Sequence, residues 1–248
     1  MKLFRALFVL SLTLALPGVI HFASGKEKEP SGQKVDSGSF GVFMQGRRVG
    51  TETFSITQTG SGSVIQSEFK TEGSTTEARQ TAEMQLTATG DIRRYEWREQ
   101  SPGKGQSTVV PNDQFLTQRW SSGPQEKPQE QVYLLPLATS ILDDYFFVHR
   151  EVLAWRYMAS ICSQQNGRMM CAGKQLAKFG TLNPRGHSSA PASLEYIGRE
   201  KVTYKGAEQE LNKLELKSES GTWTLWLDDQ FKLVRILIPS ENTEVIRD

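Results

Sequence analysis

The sequence predicts a mainly β protein: one curved antiparallel sheet or half-open β-barrel, with a central helix packed on its concave face. Three observations carry that prediction. Between Gly221 and Pro239, Trp223, Leu225 and Leu227 alternate with polar or outward residues. After Asp228-Asp229-Gln230 a second alternating run follows through Ile238, which is a β-hairpin signal. Shorter alternating runs separated by Gly, Ser and Asn turns fill residues 40–120. From 137 to 158 the period changes to three and four, with no Gly or Pro, which predicts one helix.

Met1 to Gly25 has the layout of a secretory signal peptide: Lys2 and Arg5, the apolar run Ala6 to Leu16, then Ala23-Ser24-Gly25. That run is short for a membrane span, and no Cys lies near the cleavage position to take a lipid anchor. Its removal leaves 27 basic residues of 29 against 28 acidic, a net charge of −1 with His neutral. Such a balance gives no reason to expect nucleic-acid binding or capture by anionic lipid. The expected organisation is 1–25 signal peptide, 26–38 disordered leader and 39–248 a single β-rich domain. Its expected place is the periplasm or the exterior, with no transmembrane segment after cleavage and no cofactor.

Within the domain, Phe40 to Met44 and Thr51 to Gln58 flank a Gly-containing turn and read as a hairpin. A strand with Ile65, Ser67 and Phe69 on one face follows. Ala82, Met84, Leu86 and Ala88 alternate with polar residues as in a half-buried strand. Ile92 to Gln100 puts Tyr95 and Trp97 on one face and Arg94, Glu96 and Arg98 on the other. Ser107–Pro111 and Phe115–Trp120 read as two further strands, and Ser121–Gln131 as an exposed loop. Over 137–158, Ile141, Leu142, Tyr145, Val148, Val152, Leu153 and Tyr157 fall on one helical face. Asp143 and Asp144 there complement the dipole of a first turn. Phe146, Phe147 and Trp155 make that helix apolar around its circumference, so it needs cover on several sides. Lys174–Leu182, Leu194–Ile197, Lys201–Tyr204 and Leu211–Lys217 read as strands before the hairpin, and Val245-Ile246 as a last one. Strand 231–238 is apolar on both faces except at Lys232 and Arg235, so both faces should be covered.

Cys162 and Cys171, close together in a chain read as exported, are expected to form a disulfide. The alternative is a soft-metal site with Met169, Met170 and Cys171 as sulfur ligands for copper. His149 and His187 sit in no metal spacing, and no HExxH, P-loop or dinucleotide glycine motif is present. A hydrolase using either histidine is therefore the weakest functional alternative. Asp143-Asp144 and Asp228-Asp229 are consecutive and point apart, which excludes a glycosidase pair. The apolar residues that remain have two uses, filling the core that a large β-domain needs or forming a ligand wall of Tyr95, Trp97, Phe146, Trp155, Trp223 and Leu225. On that reading the domain binds a lipid, acyl chain or apolar peptide in a cavity of a few hundred Å³ between sheet and helix. An envelope scaffold that adds a partner protein's strand at a sheet edge is the other class.

Two stretches resemble known exported domains. One is Gln45-Gly46-Arg47-Arg48-Val49-Gly50-Thr51-Glu52-Thr53-Phe54. The other runs from Tyr196-Ile197-Gly198-Arg199-Glu200-Lys201-Val202 through Leu214-Glu215-Leu216 and Trp226-Leu227-Asp228-Asp229 to Leu233-Val234-Arg235-Ile236. Together they resemble uncharacterised exported bacterial domains grouped with the LolA and LolB lipoprotein carriers. The resemblance implies a strongly curved sheet, a half-open barrel closed by helices, with an apolar concave face that in the carriers holds acyl chains; the function expected for the domain is ligand carriage in cell-envelope biogenesis. The lipobox cysteine of LolB has no counterpart here.

Overall fold

A computed structural model describes residues 32–74, 76–136, 138–165, 168–173, 175–219 and 221–248. The signal peptide and residues 26–31 of the expected leader lie outside the described residues. The remainder of that leader is already strand, since the first strand begins at Gln33. Val35 and Asp36 explain this, because both turn into the interior.

In chain order the strands are β1 (Gln33–Met44), β2 (Arg47–Thr59), β3 (Gly62–Thr71), β4 (Arg79–Thr87), β5 (Ile92–Ser101), β6 (Gln106–Asn112), β7 (Phe115–Ser121) and β8 (Gln129–Tyr133). A two-residue β9 (Ser140–Ile141) precedes the helix α1 (Val148–Ile161). Then follow β10 (Cys162–Gln165), β11 (Arg168–Cys171), β12 (Leu176–Asn183), β13 (Ser188–Tyr204), β14 (Ala207–Ser218), β15 (Gly221–Leu227), β16 (Leu233–Ile238) and β17 (Thr243–Arg247).

Among the described residues 15 strands form one sheet, in the order β8-β7-β6-β5-β4-β3-β2-β1-β17-β16-β15-β14-β13-β12-β9. It is two meanders joined at the centre by the first and last strands, Phe40 opposite Arg247 and Met44 opposite Thr243. All its ladders are antiparallel except β9 on β12. The edges β8 and β9 are not paired with each other, so the sheet is not closed into a barrel. It is nevertheless strongly bent. Tyr133 ends β8 and Ser140 begins β9 on the opposite edge. Seven residue steps reach at most about 25 Å, whereas a flat sheet of this width would hold its edges roughly 65 Å apart.

The bend gathers one core from both halves. Phe40, Phe54, Ile65, Met84 and Tyr95 from one meander pack with Leu194, Leu214, Leu225, Ile236 and Val245 from the other, around Leu153, Ala154 and Tyr157 of α1. The 221–238 hairpin forms as its alternation predicts. The Asp228 carboxylate accepts from the amides of Gln230 (2.8 Å) and Lys232 (2.9 Å) to make its turn. Both faces of β16 are covered. Leu233, Ile236 and Ile238 join the main core, while Val234 and Trp226 meet Tyr204 and Leu211 on the other side. Those two come from the far end of the β13–β14 hairpin, beyond a register shift at Gly198 (φ +132°), and Tyr204 Oη donates to Arg247 O at 2.8 Å.

The helix starts later than its periodicity predicts, at Val148, and runs on to Ile161. Two alternatives occupy the backbone before it. Ser140 and Ile141 pair with Thr181 and Leu182, and Leu142 N donates to Leu182 O (3.0 Å). The Asp143 carboxylate accepts from Tyr145 N (3.0 Å), a turn in which the short acid competes with helical bonding. Asp143 and Asp144 are therefore not first-turn acids of the helix, and Leu137 lies outside the described residues. Ser121–Gln131 is likewise only partly loop, because β8 begins at Gln129. Cys162 and Cys171 face each other across β10–β11 and are joined in a disulfide, leaving no thiolate for the copper alternative.

Candidate functional site

The interior around the start of α1 holds a set of buried charges. Glu52 lies on the inward face of β2, with the same strand parity as Phe54 and Ile56. Its carboxylate accepts from Phe147 N (2.6 Å) and Val148 N (3.3 Å). It thus caps a helix whose own N-cap, Phe147, supplies no side-chain acceptor. Burial pushes the Glu52 carboxyl up to about 8, opposed by those two amides and by Arg150, with Asp143 adding to the rise.

Arg150 is itself buried and donates to the carbonyls of Asp143 and Phe146, with its guanidinium 4.5 Å over the Trp223 ring. The fully buried Asp143 carboxylate accepts from Tyr95 Oη (2.8 Å) and pairs with Arg185 Nε (3.3 Å). Arg185 comes from the β12–β13 turn and lies between the rings of Trp97 and Tyr145, 4.3 Å from each. His149 packs edge-on to Tyr95 (5.7 Å) and beside Phe146 (5.8 Å) in the wall of a cavity of about 70 Å³. Its Nδ1 has no partner among the described residues, and burial, with Arg150, holds the imidazole down at about 3.

A second buried group ties the first and last strands to the helix. Arg247 of β17 bonds Asp36 of β1 (2.5 Å) and Glu151 of α1 (3.3 Å), with its guanidinium over Phe54 (5.0 Å) and Phe40 (5.4 Å). Lys232 adds a second cation to Asp36 at 3.1 Å. Burial raises the Glu151 carboxyl well above the ordinary range against the pull of Arg247, and the neighbouring Asp36 adds to the rise.

A ligand-sized pocket of about 490 Å³ lies between the residues leading into α1 and the sheet. Val42, Met44, Val49, Phe69, Phe147, Trp223 and Ile238 give it an apolar wall, and Asp144, Tyr145, Glu241 and the two threonines Thr71 and Thr243 its polar groups. Arg185 on Tyr145 and the edge of Phe69 on the same ring (5.3 Å) hold one side of that wall in place. A larger hollow of about 580 Å³ lies on β2–β5, lined by Thr53, Ser55, Glu68, Glu83, Glu96 and Arg98 among others. It is the polar outer surface of a bent sheet, because those residues alternate with buried Phe54, Ser67 and Ala82.

The six residues expected to form one ligand wall are distributed. Trp223 lines the 490 Å³ pocket. Tyr95, Phe146 and Leu225 are fully buried in the core. Trp97 packs on Arg185 and donates from Nε1 to Gln80 Oε1 (3.1 Å). Trp155 donates to Phe231 O (2.6 Å) and borders a separate space of about 230 Å³ with Met158 and Cys162. His187 stacks on Trp120 (4.1 Å) and bonds the Gln118 side chain (3.0 Å), joining β7 to the β12–β13 turn. Sequence reasoning passed over Glu52, Arg150, Glu151, Arg185 and Arg247. The available signal was strand parity, which turns Glu52 inward with Phe54 and Ile56.

A comparison of the chain with protein-family models, curated proteins and solved structures finds no match.

Proposed function

We propose that the protein is an exported, non-enzymatic binder or carrier of a lipid or other apolar ligand, acting in the cell envelope. On this reading the bent sheet is a half-open barrel, and α1 and the residues leading into it pack on its concave side. The observation that carries the proposal is the 490 Å³ pocket with its apolar wall. That volume lies within the roughly 300–1,000 Å³ of small-molecule sites, and apolar walls with few polar groups are their usual composition. A prebuilt wall, braced by Tyr145 between Phe69 and Arg185, loses little entropy when a ligand enters.

The test is titration of the chain with a fluorescent apolar probe such as N-phenyl-1-naphthylamine, read by probe emission. Val49→Trp, which fills the pocket, should weaken binding at least tenfold. Val132→Trp, on the exposed edge strand β8, should leave it unchanged. Equal loss in both variants, or no saturable binding by the wild type, overturns the proposal.

A second reading rests on β8. Its residues Gln129–Val132 are exposed and its outer edge is unpaired among the described residues, so a partner strand could add there, as a scaffold module would require.

A further inference from the structure

We propose that the ligand of the 490 Å³ pocket is an amphiphile whose apolar chain ends in a primary ammonium group. The inference rests on the binding reading above and adds the chemistry of the head. Two carboxylates, Asp144 and Glu241, stand among otherwise apolar or neutral lining residues. Both are exposed, and neither has an ion-pair partner among the described residues; Asp144 accepts one hydrogen bond, from Asn183 Nδ2 (2.8 Å). Arg150, a cation that acts on both, does not neutralise them by contact. Arg150 feels both carboxylates electrostatically, but it is buried with the Trp223 ring stacked on it at 4.5 Å, and its Nη1 is committed to two carbonyls.

An anionic head at this mouth would face two like charges with no cation among the lining residues to receive it, whereas an ammonium would gain two partners. The Trp223 indole, 7% exposed, forms part of the same wall, and its N–H has no acceptor among the described residues. An apolar tail occupies the space beside Val42, Val49 and Phe69.

The experiment is calorimetric titration of the full chain, near neutral pH and low salt, with dodecylamine, dodecanol and dodecanoate, each below its micelle concentration. The amine should bind at least tenfold more tightly than the alcohol, and the carboxylate more weakly than the alcohol. The preference should shrink in high salt. In the double variant Asp144→Asn, Glu241→Gln the amine-to-alcohol ratio should collapse to within threefold. Lysophosphatidylethanolamine and its N-acetylated form distinguish sources. A preference for the free-amine lipid assigns an ammonium lipid head, and binding of dodecylamine alone assigns a free amine. Equal affinity of amine and alcohol, or an unchanged ratio in the double variant, overturns the head-group assignment and leaves the pocket reading intact. Failure of all three C12 probes overturns both.

Discussion

Replacing His149 by Leu should remove roughly 2–3 kcal/mol of the stability loss that the protein shows between about pH 6 and about pH 4. The imidazole is buried, its Nδ1 is unpartnered, and its folded pKa is held at about 3 against 6.5 when free. An unfolded chain therefore binds a proton at this residue below 6.5 that the folded chain does not take up until about 3. The sign follows: stability is fully present above 6.5 and falls as pH drops through that window. Each pH unit costs about 1.4 kcal/mol, so the step from about pH 6 to about pH 4 costs roughly 2–3 kcal/mol. Leu has a similar bulk, cannot titrate, and faces Met84, Ile92, Ile141 and Leu153 around the 70 Å³ cavity. Urea unfolding followed by tryptophan emission, on both proteins at several pH values, measures the difference. Other groups titrate equally in both, so the gap between the curves should grow towards acid in favour of the variant. Curves that stay parallel within about 0.5 kcal/mol from pH 6 to 4 refute an uncharged, unpartnered His149.

Glu52 should give the opposite limb. Its folded pKa of about 8 against 4.5 means stability falls as pH rises through that window, so Glu52→Gln should gain on the wild type from acid to pH 8 by an amount on the order of 4 kcal/mol. The same unfolding titrations check it, and a constant difference contradicts it. Arg247→Met should cost about 3–5 kcal/mol, because Asp36 and Glu151 would stay buried with only Lys232 beside them. Thermal unfolding reads that loss, and a change under about 1 kcal/mol would mean the pair is wetted. Reducing the Cys162–Cys171 bond, which closes a separation of 9 residues, should cost roughly 2–3 kcal/mol in denaturant unfolding with the sheet retained by circular dichroism.

The parts of the fold legible in the sequence are those with local causes. β4 and the β15–β16 hairpin follow from alternation and from an Asp-rich turn, and both form where alternation places them. The start of α1 was not legible, because apolar residues at 141, 142, 146 and 147 satisfy a helical period while being buried by an extended run and a turn. What decides between the two is a partner about 95 positions away, the Glu52 carboxylate on the amides of Phe147 and Val148. Aromatic residues alone could not mark the site either. Tyr95, Phe146 and Leu225 fill the core, whereas Met44, Val49 and Phe69 reach the pocket only because β1–β3 meet the 144–147 segment across the bend. Asp36, Glu151 and Arg247 converge from the first strand, the helix and the last strand, a meeting that no spacing records.

The most direct measurement is native mass spectrometry of the chain purified without detergent from its own host. The account predicts a non-covalent apolar adduct on the wild-type protein that is lost in Val49→Trp. A bare mass for the wild type, or the same adduct on the filled-pocket variant, contradicts it.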